Sequence, residues 1–220
     1  MIIQRELKFE VLLSGQVSGI LTRPDNADAI FVLGHGSGSN VRVPFMEGLS
    51  ENLARLGVAT FRFEYPYSDK PDFVPFTDMP MDSDDILIST VRAALDSADK
   101  EASGLRVYVG GHSVSAQMTS VADARKSLPA EAVISLGFPR KGDASRTAHL
   151  NDTTLPVLFI QGTNDSLGTV DEINDMVATL GDRATVKWIE GASHGFKVDG
   201  REHGDVVREV AQHIRDYTGV

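Results

Sequence analysis

The chain has 220 residues, of which 41% are hydrophobic, and its formal net charge is -10 at pH 7. This length suits one hydrophobic core, so we expect a single domain over residues 1–220. The absence of cysteine excludes disulfide scaffolds, cysteine nucleophiles and thiolate metal sites. The negative charge argues against a nucleic-acid partner, because such binding draws its affinity from clustered Lys and Arg.

Targeting and membrane signals are not evident in the sequence. Residues 1–15 carry scattered charges and lack the apolar run and the small-residue cleavage pattern of a secretory signal. No later stretch approaches the roughly 18 consecutive apolar residues that a membrane span needs. We therefore expect a cytoplasmic protein without a membrane partner; the sequence leaves its oligomeric state open.

Short apolar runs alternate with amphipathic stretches along the chain. An antiparallel hairpin is predicted first, over residues 8–24, with Ser14 and Gly15 at its turn. Apolar runs then predict strands at 29–34, 58–63, 106–111, 132–137, 156–162 and 185–191. Helical spacing of apolar residues predicts helices at 43–57, 81–98, 114–126, 170–181 and 204–219. This order predicts an α/β protein with a doubly wound, mostly parallel sheet, an N-terminal antiparallel hairpin and no separate cap domain.

Residues 64–80 form the one long irregular segment, rich in proline and aromatic residues. Loops of this length in a compact domain are usually functional or disordered, and we expect this one to form a wall of a substrate pocket. Tyr65 and Phe73 are candidate substrate contacts. With Tyr67 and Phe76 they either line an acyl pocket or pack the loop down, and the sequence does not decide between these readings.

A candidate nucleophile lies where the strand at 106–111 passes into the next helix, in the segment Gly111-His112-Ser113-Val114-Ser115. A nucleophile elbow places its serine at such a turn and needs small residues two before and two after it, because strand and helix nearly touch. Ser115 departs from the expected glycine. By itself this motif is weak.

Two further residues strengthen the prediction that Ser113 is a nucleophile. Asp165 follows the strand at 156–162, and His194 follows the strand at 185–191. Loops at the carboxyl ends of parallel strands converge on one crevice, and the order Ser, Asp, His is that of the nucleophile-elbow hydrolases. In such a triad His194 is the general base for Ser113, and Asp165 fixes the tautomer of the histidine and stabilises its cation.

Acyl transfer also needs N–H donors for the oxyanion that forms. The backbone N–H of Val114, directly after the nucleophile, is one candidate. The second is the backbone N–H of Ser37, which follows His35 and Gly36 in a glycine-rich turn after the strand at 29–34. Glycines there allow the backbone to approach a substrate closely.

These residues resemble the α/β-hydrolases, and within them a small capless branch related to dienelactone hydrolase and the testis-expressed hydrolase-like proteins. The similarity covers residues 29–197 and is carried by these segments: LGHGSGSNVRVPFM, LARLGVATFRFEYPY, VGGHS, FPRKGDASRTAHL, LPVLFIQGTNDSLGT and WIEGASHGF. The resemblance implies a nucleophile at Ser113, an acid at Asp165, a base at His194 and an oxyanion loop at 35–37.

The residues after the nucleophile depart from that branch. Its members usually carry an aromatic residue, two glycines and an arginine, where this chain has Val114, Ser115, Ala116 and Gln117. The departure leaves the triad intact but puts the pocket floor and any shared substrate in doubt.

Alternatives remain for several residues. The alternative role of Ser113 is a helix N-cap and that of Asp165 a turn residue, with Asp143 as the substitute acid. His194 has competitors in three other histidines, His149, His203 and His213. Arg140 is a candidate contact for an anionic substrate group, together with Lys141 and Arg146, although a solvated loop explains all three.

The flanking histidines and glycines favour no cofactor. His35 is a candidate substrate contact, but His35 and His112 lack the carboxylates of a metal site and are better explained by structural hydrogen bonds. Gly34, Gly36 and Gly38 lack the spacing of a dinucleotide loop. The sequence thus predicts a metal-free and cofactor-free serine hydrolase acting on a small-molecule ester or thioester through an acyl-enzyme. The alternative is a non-catalytic binding or scaffold protein that retains the fold.

Overall fold

The structure, a computed structural model, describes residues 1–77, 80–140 and 145–220, without the side chains of Ser145 and Arg146. Its strands are β1 (Ile2–Val11), β2 (Gly15–Pro24), β3 (Ala29–Gly34), β4 (Val58–Phe63), β5 (Arg106–His112), β6 (Ala132–Leu136), β7 (Val157–Gly162) and β8 (Ala184–Ile189). Its α-helices are α1 (Pro44–Arg55), α2 (Asp84–Glu101), α3 (Val114–Arg125), α4 (Ser145–Ala148), α5 (Val170–Leu180) and α6 (His203–Thr218).

The eight strands form one mixed sheet in the order β1-β2-β4-β3-β5-β6-β7-β8. β1 pairs antiparallel with β2, and β2 pairs antiparallel with β4. Every pair from β4 to β8 is parallel. The order reverses direction around β3, which lies between β4 and β5, and such a switch point opens a crevice at the carboxyl ends of the strands.

Helices cover both faces of the sheet. On one face α1 and α6 pack through Leu49, Leu53, Val206, Val210 and Ile214. On the other face α2, α3 and α5 pack through Leu87, Val91, Met118, Ala122, Ile173 and Met176. Because both faces are covered, the central strands are mostly apolar, and all residues of β3, β4 and β7 are buried.

Local signals explain where several helices begin and end. Pro44 occupies the first turn of α1, where its missing N–H costs nothing. The Thr169 hydroxyl accepts from the Glu172 backbone N–H while the Glu172 carboxylate accepts from the Thr169 backbone N–H, a capping box that starts α5. Gly219, with φ 63°, ends α6 in the left-handed conformation.

The observed architecture confirms the predicted fold class, and the elements from β3 onwards follow the predicted order. β1 begins at Ile2 rather than at residue 8 because its first five residues are exposed at the edge of the sheet, so no burial pattern marks them. The short helix α4 and two 3-10 turns, His149–Asp152 and Gly181–Arg183, were not predicted. No helix in the described part of the chain is long and apolar enough to cross a bilayer.

Candidate active site

Ser113 occupies a strained turn between β5 and α3. Its backbone has φ 56° and ψ -112°, a conformation that costs a non-glycine residue free energy and that clusters at functional sites. Gly111 permits this turn, because a Cβ on it would lie 2.2 Å from the Gly34 carbonyl oxygen. The elbow predicted from the sequence therefore has the sharp geometry that presents a serine hydroxyl at the crevice.

The structure brings Ser113, His194 and Asp165 together. His194 Nε2 lies 2.9 Å from Ser113 Oγ, and His194 Nδ1 lies 2.8 Å from Asp165 Oδ2. A carboxylate only accepts hydrogen bonds, so Nδ1–H donates to Asp165 and a neutral Nε2 is left to accept the Ser113 proton. These two contacts join the ends of β5, β7 and β8 into one hydrogen-bonded chain.

Asp165 is 2% exposed and receives two further hydrogen bonds. The Gln161 side-chain amide donates to Oδ2 at 2.7 Å, and the Leu167 backbone N–H donates to Oδ1 at 2.8 Å. Gln161 is itself fixed, because its Oε1 accepts the Phe138 N–H at 2.7 Å. The buried carboxylate thus has a fixed orientation and donors that stabilise its charge. No pattern in the sequence indicated this role of Gln161.

His112, directly before the nucleophile, lies with its Nε2 2.8 Å from the backbone oxygen of His194. Burial, followed by the charge of His194, lowers the pKa of His112 to about 4. The ring is therefore neutral near pH 7. This contact agrees with the structural hydrogen bonding expected for His112.

The two candidate oxyanion donors sit at suitable backbone positions. Val114 is the first residue of α3, where an N–H has no partner within the helix and the helix dipole favours negative charge. Ser37 is exposed in the turn after β3 and lines the same cavity as Ser113. Their assignment as the oxyanion hole remains a prediction.

Behind this turn, Ser115 replaces the expected glycine and forms its own contacts. Its Oγ donates to the His35 backbone oxygen at 2.6 Å, and the Tyr65 hydroxyl lies 2.9 Å from the same Oγ. The Ser115 side chain fits because its neighbour on β3 is Gly34, where a Cβ would lie 2.3 Å from the Ser115 Oγ. The substitution therefore ties the turn after β3 to the start of α3.

A cavity of about 960 Å³ opens beside Ser113. Of the predicted residues, Ser37, Ser113 and His194 line it. The other walls were not predicted: Val43, Phe45 and Met46 lie at the start of α1, and a further wall comes from the segment 197–201 with His203. The apolar residues of α1 could be predicted only as core, because the helical pattern does not separate a pocket wall from a packed face.

Four expected substrate contacts are not in this cavity, and their assignment needs correction. His35 and Tyr65 are 0% exposed, so neither side chain can reach a substrate. Phe73 packs its ring 5.9 Å from the ring of Tyr67. Arg140 lines a separate cavity of about 300 Å³ beside α5. Phe76, from the same long loop, lines the main cavity.

His35 instead supports the turn from beneath. Its Nδ1 lies 2.8 Å from the Gly36 backbone oxygen, and its Nε2 lies 2.9 Å from Ser68 Oγ and 3.2 Å from the buried Glu64 carboxylate. Polar groups buried in this way are satisfied by hydrogen bonds, which explains a histidine here without a substrate.

The competing residues lie outside the triad or outside the described residues. His149 Nε2 bonds to Ser120 Oγ at 2.7 Å, and His203 Nδ1 bonds to the Phe196 backbone oxygen at 3.2 Å. His213 is on α6. Asp143 and Lys141 lie outside the described residues, as does the Arg146 side chain.

The sequence matches the model of the alpha/beta hydrolase domain over residues 27–219, and the chain belongs to this family. A comparison with curated proteins finds no match. Among solved structures, the chain is similar to a dienelactone hydrolase from Anabaena variabilis, with 22% identity, a TM-score of 0.75, and coverage of 97% of this chain and 96% of that one.

Two other solved structures have the same fold. An alpha-beta serine hydrolase homologue from Coxiella burnetii shares 19% identity at a TM-score of 0.75, with 96% of each chain covered. A serine hydrolase without a lid from Xanthomonas campestris shares 20% identity at a TM-score of 0.74, with 97% of this chain and 94% of that one covered. The predicted resemblance to capless α/β-hydrolases is confirmed at the level of fold.

Proposed function

We propose that the protein is a serine hydrolase that cleaves a carboxylic ester or thioester through an acyl-enzyme on Ser113. One observation carries the proposal: Ser113 Oγ, the imidazole of His194 and the buried Asp165 carboxylate form a continuous hydrogen-bonded chain at the wall of a large cavity. A serine that is only a helix N-cap needs no histidine and carboxylate behind it.

Acylation begins when His194 Nε2 removes the Ser113 proton as Oγ attacks the acyl carbon. The carbonyl oxygen becomes an oxyanion, which the backbone N–H groups of Ser37 and Val114 stabilise. The bond to the leaving group then breaks, and the proton on Nε2 passes to the departing alcohol or thiol. Asp165 stabilises the imidazolium and holds its tautomer throughout.

Deacylation repeats these steps with water. His194 Nε2 takes a proton from a water molecule as its oxygen attacks the acyl-enzyme, and the second oxyanion forms at the same two N–H groups. When the bond to Ser113 Oγ breaks, the Nε2 proton returns to Oγ and a free carboxylic acid leaves. The residues of the chain supply every proton transfer in this cycle.

The cavity favours a substrate with a sizeable apolar group. Its volume of about 960 Å³ is at the upper end of ordinary ligand pockets. Apolar side chains from several segments line it: Val43, Phe45, Met46, Phe76, Leu167 and Val198. The rim cations Lys197 and Arg201 are offset by Asp199 and by the Arg201–Glu209 ion pair. An uncharged acyl or alcohol group therefore suits it best.

Release of p-nitrophenolate from p-nitrophenyl butyrate tests the proposed reaction. Wild type should turn over, and Ser113→Ala should lose activity by roughly a millionfold, as nucleophile loss does in protease triads. Ser103→Ala, at an exposed turn residue, is the matched control and should retain full activity. Equal rates for wild type and Ser113→Ala in purified, folded protein would refute the mechanism. Binding of the ester without turnover would favour a non-catalytic binding protein.

A further inference from the structure

His112 is the last residue of β5 and directly precedes Ser113, yet the mechanism above gives its side chain no task. Its Nε2 lies 2.8 Å from the backbone oxygen of His194, a residue 82 positions later in the chain. We infer that His112 is a positioning residue, whose Nε2–H holds the backbone of His194 where its imidazole meets Ser113. This inference rests on the proposed function.

The direction of the hydrogen bond fixes the tautomer of His112. A backbone carbonyl only accepts, so Nε2 carries the proton and Nδ1 of the neutral ring does not. The titratable groups that act on this ring are His194, Asp165 and His35, and burial outweighs them and keeps the pKa of His112 near 4. The ring therefore offers this donor as a neutral imidazole near pH 7.

Three rings and two glycines pack against the partly buried ring of His112. Its centroid lies 5.6 Å from that of Phe45, 6.0 Å from that of Phe196 and 5.0 Å from that of His194. Two glycines also lie close to the ring: a Cβ at Gly36 would lie 2.8 Å from Nδ1, and one at Gly137 would lie 3.4 Å from Nε2. Another part of the ring faces the cavity. The donor is therefore aimed before any substrate arrives.

In the part of the chain that the structure describes, the other backbone hydrogen bonds of the loop around His194 lie within the loop or connect its two ends to β7 and α6. The Ser193 N–H donates to the Lys197 oxygen, and the Phe196 N–H donates to the Ser193 oxygen, both at 2.9 Å within the loop. The Asn164 N–H holds the Ala192 oxygen at 2.9 Å, which ties the loop start to β7. His112 supplies the tie from His194 itself to β5, the strand that carries the nucleophile.

Three variants test this role. His112→Phe keeps a ring and removes the donor, whereas His112→Gln keeps an amide donor at about the position of Nε2. His149→Phe is the matched control: it removes another histidine hydrogen bond, to Ser120, away from the cavity. For each we would measure the thermal midpoint, kcat and KM for p-nitrophenyl butyrate, and the downfield proton resonance of the His194 Nδ1–H.

We expect His112→Phe to lower kcat by about 10- to 100-fold with little change in KM, as losses of outer supporting contacts do. The His194 Nδ1–H resonance of this variant should broaden. His112→Gln should restore a sharp resonance and bring kcat to within about fivefold of wild type. His149→Phe should lower only the thermal midpoint. A folded His112→Phe enzyme with wild-type kcat, or a His112→Gln enzyme as slow as His112→Phe, would overturn the inference. Failure of the proposed function appears differently, as a wild type without turnover.

Discussion

The Tyr65 hydroxyl lies 2.9 Å from the Ser115 hydroxyl, and Ser115 in turn donates to the His35 backbone oxygen at 2.6 Å. The Ser115 hydroxyl has one proton and donates it in the hydrogen bond to the His35 carbonyl, so Tyr65 must donate to Ser115. Burial raises the pKa of Tyr65, which keeps this proton on its hydroxyl. The position where related elbows carry glycine is thus the centre of a short hydrogen-bond chain.

We expect the two hydroxyls to be coupled in stability. Ser115→Ala leaves the buried Tyr65 hydroxyl without its partner, which costs about 1–3 kcal/mol of the free energy of unfolding. Tyr65→Phe should also destabilise, and the double variant should cost less than the sum of the singles by about 0.5–1.5 kcal/mol. Urea unfolding of the four proteins measures this coupling, and strictly additive losses would show that the hydroxyls act independently.

Gln161 should matter for catalysis through Asp165. Gln161→Met removes the 2.7 Å hydrogen bond to Asp165 Oδ2, so the carboxylate loses orientation and kcat should fall about 10- to 100-fold with KM little changed. Gln212→Met is a matched control, because Gln212 makes a 2.7 Å bond to Asp216 on the exposed face of α6. Steady-state kinetics on p-nitrophenyl butyrate provide the measurement. An unchanged kcat in Gln161→Met would show that Gln161 does not support catalysis through Asp165.

The sequence predicted the chain positions of the site better than its surroundings. Ser113, Asp165 and His194 were predictable because each follows a clear apolar strand, and parallel topology brings such residues to one edge. Phe45 and Met46 were not, since an apolar helix face looks the same whether it packs on the core or lines a cavity. The fold was predictable for the same reason as the triad, from the alternation of strands and helices.

The errors have a common physical origin. His35 and Tyr65 lie in loops after strands, where the sequence favours substrate contact, yet both are fully buried and hydrogen-bonded beneath the turn after β3. The position of a residue after a strand predicts the edge of the sheet where it lies, but not whether its side chain is exposed or buried there. The direction in which a side chain points depends on backbone angles that only the packed structure supplies.

Acid should destabilise the protein between pH 6.5 and 4. The pKa of His112 is about 4 when folded and returns to its ordinary value near 6.5 on unfolding, so the unfolded chain binds more protons in this window. Its contribution to the free energy of unfolding should fall by about 2 kcal/mol between pH 7 and pH 5. Burial also lowers the pKa of His149, which adds to the loss.

Urea unfolding of wild type and His112→Gln at pH 7 and pH 5 measures this effect. The difference in free energy of unfolding between the two proteins should narrow as the pH falls, because wild type loses the contribution of His112 whereas glutamine does not titrate. An identical pH dependence for both would contradict the neutral state of His112.

Filling the cavity should change substrate preference. Val198→Trp reduces the space beside Ser113. The ratio of kcat/KM for p-nitrophenyl octanoate to kcat/KM for p-nitrophenyl acetate should therefore fall about tenfold or more. Val74→Trp, at an exposed residue that does not line the cavity, is the control for an added indole. If Val198→Trp slowed both esters equally, the apolar group would bind elsewhere.

The activated state of Ser113 can be tested without guessing a substrate. Purified wild type and Ser113→Ala would be exposed to a fluorophosphonate, and their intact masses compared, because this reagent reacts with an activated serine hydroxyl. We predict one adduct on wild type and none on Ser113→Ala. Wild type that is folded yet unlabelled, or a variant that labels as fast as wild type, would contradict the central claim that His194 and Asp165 activate Ser113.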